Sequence, residues 1–215
     1  MLKYYILNKY LAALSGLFLL LFLTGHLAGN LQLLIPESSG AQQKFNDYAH
    51  FMSTNPFVKI LSITTYVSII LHVIVTLALT ISARRKRPIS YKSAQSQVNS
   101  SGSKYMGVLG TVILAFIIVH LSNFWYKAKF EGETDIYYLV VSKFQHLEHV
   151  IVYVFAMLAI FFHVLHGFSS GFQSLGLITS KTRKYFQGLG MIYALLIPIL
   201  FAIIPIYIYL GLHIR

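Results

Sequence analysis

The chain has 215 residues, of which 56% are hydrophobic and only 11% charged, against about 25% charged in an average soluble domain. That balance excludes an ordinary soluble globular protein, and the formal net charge of +11 at pH 7 does not signal nucleic acid, because the basic residues fall between apolar runs rather than on one face of a domain. The absence of cysteine excludes thiolate-held iron–sulfur clusters, structural disulfides and covalently attached c-type haem.

Five apolar runs, at about 10–33, 57–82, 105–126, 147–169 and 188–211, each suffice to cross a hydrocarbon core of about 30 Å, which takes about 20 helical residues. They predict an all-α fold: an integral membrane bundle of five transmembrane helices forming one domain over residues 1–215. The first run follows Lys3 and Lys9 as a signal peptide would, but it continues past the length of one and reads as a retained helix. The next segment, PESSGAQQKFNDYAHFMSTNP, places Phe45, Tyr48 and Met52 at helical spacing and predicts a short amphipathic helix on the membrane surface. Pro56 fits the first turn of the second span, where a missing N–H is harmless. Between Ile81 and Lys104 the chain is basic and rich in Ser and Gln, and reads as a flexible loop at lipid headgroups. After the third span, Trp125, Tyr126, Tyr137 and Tyr138 have the character of interfacial anchors. The fifth span holds Pro198 and Pro205 but no internal histidine, and is expected to pack without binding anything. Beyond one histidine on each of the first four spans, no internal repeat is apparent.

Lys and Arg gather before span one, between spans two and three (Arg84, Arg85, Lys86, Arg87, Lys92, Lys104) and between spans four and five (Lys181, Arg183, Lys184). The positive-inside rule then predicts a cytoplasmic N-terminus and an outer C-terminus.

With that orientation, position becomes depth. His26 lies about 25 Å along span one from Lys9, and His120 about 24 Å beyond Lys104, which sets both in the outer half. His72 is roughly 24 Å inward from Pro56, and His163 roughly 26 Å inward from His146, which sets both in the inner half. The four sort into an outer pair, His26 with His120, and an inner pair, His72 with His163, about 15–20 Å apart in a core of that thickness. Ionisable groups are costly in hydrocarbon and face a bundle interior when they occur there. Opposed imidazoles on facing helices are what a six-coordinate b-type haem needs, and neutral imidazole is the common metal ligand. Gly25, Ala28 and Gly29 around His26, and Ala159 and Gly167 a turn either side of His163, would let a ring approach the backbone. Ser68 and Thr76 bracket His72 as hydroxyl partners. A lone membrane histidine serves equally well as an interhelical hydrogen-bonding group; one per span, paired by depth, favours ligands. His50, His146, His149 and His213 fall at interfaces and read as no ligands. His166, one turn from His163, is the competing ligand and otherwise a contact for a propionate or quinone.

The motifs GHLAGN around His26, KFNDYAHFMSTNPF at 44–57, LH at 71–72, VH at 119–120 and FFHVLHGFSSGFQSLGL at 161–177 resemble the single-chain, five-helix, di-haem cytochrome b subunit of succinate:quinone oxidoreductases (complex II: succinate dehydrogenase of the tricarboxylic acid cycle, and fumarate reductase). In that family the fourth ligand precedes a polar residue and a glycine at offsets three and four, here His166 and Gly167, which favours His163. The resemblance implies two haem b groups with iron held by His26, His120, His72 and His163. It also implies a flavoprotein subunit, an iron–sulfur subunit, menaquinone as the electron acceptor, and the cytoplasmic membrane of a bacterium. Ser170, Gln173 and Lys181 become candidate propionate contacts, and Asn30, Asn123 and Trp125 candidate borders of a quinone pocket. Two other readings stand beside it. One is a di-haem cytochrome b of a hydrogenase or formate dehydrogenase; the other is a membrane anchor without haem. A bc-type arrangement fits less well, since there two helices each carry both a high and a low histidine.

Overall fold

The computed structural model describes residues 2–85 and 101–214. Among them every regular element is helical: α1 (Leu2–Asn30), α2 (Ala41–Thr54), α3 (Pro56–Arg85), α4 (Ser101–His120), α5 (Tyr126–Phe130), α6 (Ile136–Phe144), α7 (Leu147–Ser174) and α8 (Arg183–Tyr209). A π-helical segment, Leu121–Trp125, joins α4 to α5 without a break. Five stretches are long and apolar enough to cross a membrane: Tyr4–Leu34, Pro56–Ala83, Tyr105–Phe130, Leu147–Ser174 and Arg183–Tyr209. The chain is a multi-pass membrane protein. Most of its spans run longer than the hydrophobic runs alone, because residues beyond those runs, such as Lys127, Lys129, Arg183 and Lys184, are also helical. Residues 86–100, most of the expected basic loop, lie outside the described residues.

Local chemistry fixes the ends. Asn55 is extended, as a residue before proline tends to be, and its Oδ1 accepts from the N–H groups of Phe57 at 2.9 Å and Val58 at 3.3 Å, so it caps α3 ahead of Pro56. Asp135 caps α6 by accepting from the Tyr138 N–H at 2.9 Å. Gly176, at φ +76°, ends α7 in the left-handed conformation a glycine takes without strain.

α7 is the axis of the bundle, packed on α8, α4 and α1, while α1 also packs on α3. The α7–α8 seam depends on small residues, as membrane helices require for close approach. Ala194 is fully buried, and a Cβ on Gly190 would meet Phe168 at 3.0 Å. Tyr193 ties α8 to α1 by donating to the Leu20 carbonyl at 2.6 Å. By contrast, α3 and α4 touch only sparsely.

α2 and α6 cap one end of the bundle. Gln42 and Asn46 on α2 donate to Asp135 at 2.6 and 2.8 Å, and Asn46 accepts from the Tyr137 N–H at 2.9 Å. Burial alone would push the Asp135 carboxyl up, but hydrogen bonds from Asn46, the Tyr138 backbone and Gln42 outweigh it and hold it below its ordinary value. A buried hydrophobic cluster, including Leu33, Phe45, Tyr137, Phe144, Tyr153 and Ile208, sits at this capped end rather than at mid-bundle. Tyr137 is therefore not an interfacial anchor: it is 2% exposed, whereas Trp125, Tyr126 and Tyr138 are exposed as such anchors are. Phe45 is buried too, so α2 rests on protein and does not simply float on lipid.

The chain does repeat itself. α1, α2 and α3 form a unit of outgoing span, cap and returning span, and α4, α6 and α7 form a second. Pro56 to His72 and Leu147 to His163 are both sixteen residues, and Gly16 to His26 and Gly110 to His120 are both ten. The repeat is invisible as residue similarity because only a glycine and two histidines per unit keep their places.

Candidate functional site

The middle of the bundle is not packed solid. α1, α3, α4 and α7 surround a cavity of about 2540 Å³, well beyond the roughly 300–1,000 Å³ of a pocket for one drug-sized ligand. All four histidines line it. The structure joins them as depth predicts: the His26 and His120 rings lie 5.7 Å apart between centroids, at 87°, and those of His72 and His163 lie 6.4 Å apart, at 72°. Each pair consists of equivalent residues of the two repeats.

The separation of the pairs follows from α1. Gly16 lies against His72, and His26 is ten residues further on, a rise of about 15 Å at 1.5 Å per residue. On α4, Gly110 faces His163 and His120 is again ten residues on. The glycines that admit the imidazoles thus belong to the neighbouring helix. Gly25 has open space around it, and Gly29 is covered by Tyr48 rather than by a histidine.

The surroundings of the pairs differ. At the capped end, Phe22 stacks on His26 at 5.5 Å, and Phe201 of α8 lies 5.7 Å from the same ring. Phe116 and Phe124 flank His120 at 5.8 and 5.4 Å. α8 therefore contributes to the cavity wall although it carries no internal histidine. The Tyr153 hydroxyl lies 3.4 Å from His120 Nδ1 and accepts from Asn123 Nδ2 at 3.4 Å. Asn30 donates to the His26 carbonyl at 2.8 Å, with its amide nitrogen 3.4 Å from the ring Nδ1. The π segment begins right after His120; single π turns inside α-helices concentrate at functional sites.

At the other pair, His72 Nδ1 lies 3.1 Å from the Ala12 carbonyl and 3.1 Å from Ser15 Oγ. A carbonyl only accepts, so Nδ1 carries the proton and Nε2 keeps its lone pair for the cavity. Thr76 is not a ring partner, since it donates at 2.6 Å to the His72 backbone carbonyl. His163 Nδ1 is buried without a partner.

Of the remaining sequence candidates, Asn30, Trp125, His166, Ser170 and Gln173 line the cavity, while Asn123 reaches it only through Tyr153 and Lys181 is not among the lining residues. Sequence reasoning missed Lys9 and Tyr48, which also line it, one near each end. Lys9 sits one helical turn beyond Tyr5, with its ammonium 4.9 Å from that ring centroid; its place in the sequence marks it only as a topological charge. His213 is buried with Nδ1 unpartnered, but it lies in the C-terminal turn, away from the cavity wall.

Two imidazole nitrogens each about 2.0–2.1 Å from one metal ion stand about 4 Å apart, and the half-widths of the rings bring the centroids to roughly 6 Å. Separations of 5.7 and 6.4 Å bracket that value. Among the described residues no three His, Cys, Asp or Glu side chains converge on a point. A metal held here would have at most the two histidines of a pair as protein ligands and would need its other ligands from elsewhere. No protein-family model, curated protein or solved structure matches the chain.

Proposed function

We propose that the protein is the membrane-anchor cytochrome b subunit of a succinate:quinone oxidoreductase, holding two b-type haems and passing electrons to menaquinone. The observation that carries the reading is the pair of opposed imidazoles at each of two levels, set at metal-bridging separation in one cavity. A porphyrin would supply the remaining ligands that the protein lacks, and its iron would contribute one-electron chemistry when bound.

The chain's own residues do the rest. His26 and His120 hold one level, and His72 and His163 the other. Phenylalanines exclude water around the first, and glycines on α1 and α4 make room beside the second. Lys9, His166, Ser170 and Gln173 offer donors to carboxylates at the end away from the caps. Tyr48, Asn30 and Trp125 stand at the capped end, where a quinone head group would find polar contacts next to an aromatic wall. By the positive-inside rule the uncapped end faces the cytoplasm of a bacterium, and there a flavoprotein and an iron–sulfur subunit deliver electrons.

The test is a reduced-minus-oxidised spectrum and a haemochrome assay on the purified chain, with two haems per chain expected. Replacing His26 or His120 disturbs one haem, and replacing His72 or His163 the other. Co-purification of a flavoprotein and an iron–sulfur protein tests the assignment to complex II against other quinone-linked enzymes. Absence of any b-type band defeats the reading.

A further inference from the structure

The two repeats are not equal at the uncapped-end pair. On α1 the residue before the close-approach glycine is Ser15, 3% exposed. Its hydroxyl donates to the Leu11 carbonyl at 2.7 Å, which leaves its oxygen lone pairs for the His72 Nδ1–H at 3.1 Å. The Ala12 carbonyl lies four residues before Gly16, where it takes the helical bond of the Gly16 N–H and keeps a second lone pair for His72. The ring comes this close because position 16 has no side chain: a Cβ there would lie 3.0 Å from His72 Cε1 and 3.4 Å from Nδ1. On α4 the equivalent of Ser15 is Leu109. A Cβ on Gly110 would stand 3.9 Å from His163 Cε1, and His163 Nδ1 has no partner.

We propose that Ser15, with the Ala12 carbonyl, is a positioning residue that locks His72 as the fixed ligand of its pair and leaves His163 as the exchangeable one. The inference rests on the haem reading above. An imidazole that donates its Nδ1–H to oxygen acceptors is held in one tautomer and one orientation and becomes a stronger donor through Nε2. His163 Nδ1 lacks that support, so its ring would be fixed only by the bond to the metal itself. Axial-ligand basicity is one of the levers on a haem's potential, and Ser15 sets it for one of the two haems.

The experiment uses the full complex with both haems in place. Ser15→Ala should retain two haems per chain and shift the midpoint potential of one of them upward, because a weaker donor favours the ferric state less. The other potential should stay in place, and Ser15→Thr should restore the wild-type value. In parallel, His163→Ala should keep two haems per chain with one converted to a five-coordinate, high-spin spectrum, whereas His72→Ala should lose that haem. Unchanged potentials in Ser15→Ala, or equal shifts of both, overturn the proposal. So do equal haem losses in His72→Ala and His163→Ala, a comparison that stands even if the Ser15 variants fail to fold. A wild-type chain without haem removes the functional reading itself, and that result is distinguishable from a haem-loaded chain indifferent to Ser15.

Discussion

The contact between Gly29 and Tyr48 makes a prediction whose sign changes with the background. Tyr48 of α2 lies directly on the backbone of α1 at Gly29, one turn beyond His26, and a Cβ at position 29 would collide with the Tyr48 hydroxyl and ring. In an open helix interior, Gly→Ala stabilises by about 0.5–1 kcal/mol. Overpacking costs about 1–3 kcal/mol, so Gly29→Ala should destabilise the protein by roughly 1–2 kcal/mol. Tyr48 is half-buried, and with about 3–5 kcal/mol lost on truncating a fully buried aromatic, Tyr48→Ala should cost on the order of 2 kcal/mol. Once Tyr48 is gone, the collision at 29 is relieved, and Gly29→Ala should stabilise by its helix propensity. The coupling in the double-mutant cycle is then about 1.5–3 kcal/mol, within the range for residues in contact. Thermal unfolding in detergent, followed on the four variants, reads it directly. If Gly29→Ala has the same sign in both backgrounds, the cap does not rest on α1 as described.

Two further perturbations address the cap and the site. Asp135→Ala should cost about 0.5–2 kcal/mol, as loss of an N-cap does, and should loosen α2 from α6. Because the native Asp135 carboxyl is held below its ordinary value, its contribution is present above the unfolded-state pKa of about 3.9 and fades as pH falls through the lower folded value. Melting of wild type and Asp135→Ala should therefore differ at neutral pH and converge as acid protonates the folded-state carboxylate; a gap that widens in acid contradicts the network. Tyr153→Phe removes the hydroxyl between Asn123 and His120. It should change the spectrum or potential of the haem proposed at the capped end and spare the one proposed at the other pair, and a change at both levels would show that Tyr153 acts on the bundle as a whole.

What was legible in the sequence is what depends on periodicity and depth. The five spans follow from runs of apolar residues, and the two histidine pairs follow from counting residues inward from charged or polar ends. Their immediate partners were not legible. Ser68 and Thr76 share a helix with His72, so spacing suggested them, but the ring leans across to Ser15 and Ala12 on another helix. α6 was hidden because its residues, Ile136–Phe144, are as apolar as a span but too few to be one. Tyr137 and Tyr138 looked alike as anchors, yet the helix turns one inward and the other outward. The repeat was missed for a related reason: it is carried by glycine-to-histidine intervals rather than by similar side chains.

The π segment after His120 has a consequence for the rest of that span. A π turn takes in one more residue than an α turn, and each extra residue rotates whatever follows by about 100° at 3.6 residues per turn. The offset swings the indole of Trp125 toward the neighbouring helix, where it meets Tyr66 edge-on at 5.9 Å, at the sparsely packed side of the bundle. A helical wheel drawn from Ser101 without that extra residue puts Trp125 in the wrong sector, and shortening the chain by one residue between 121 and 125 would unclasp the aromatic latch while leaving every amino acid type in it unchanged.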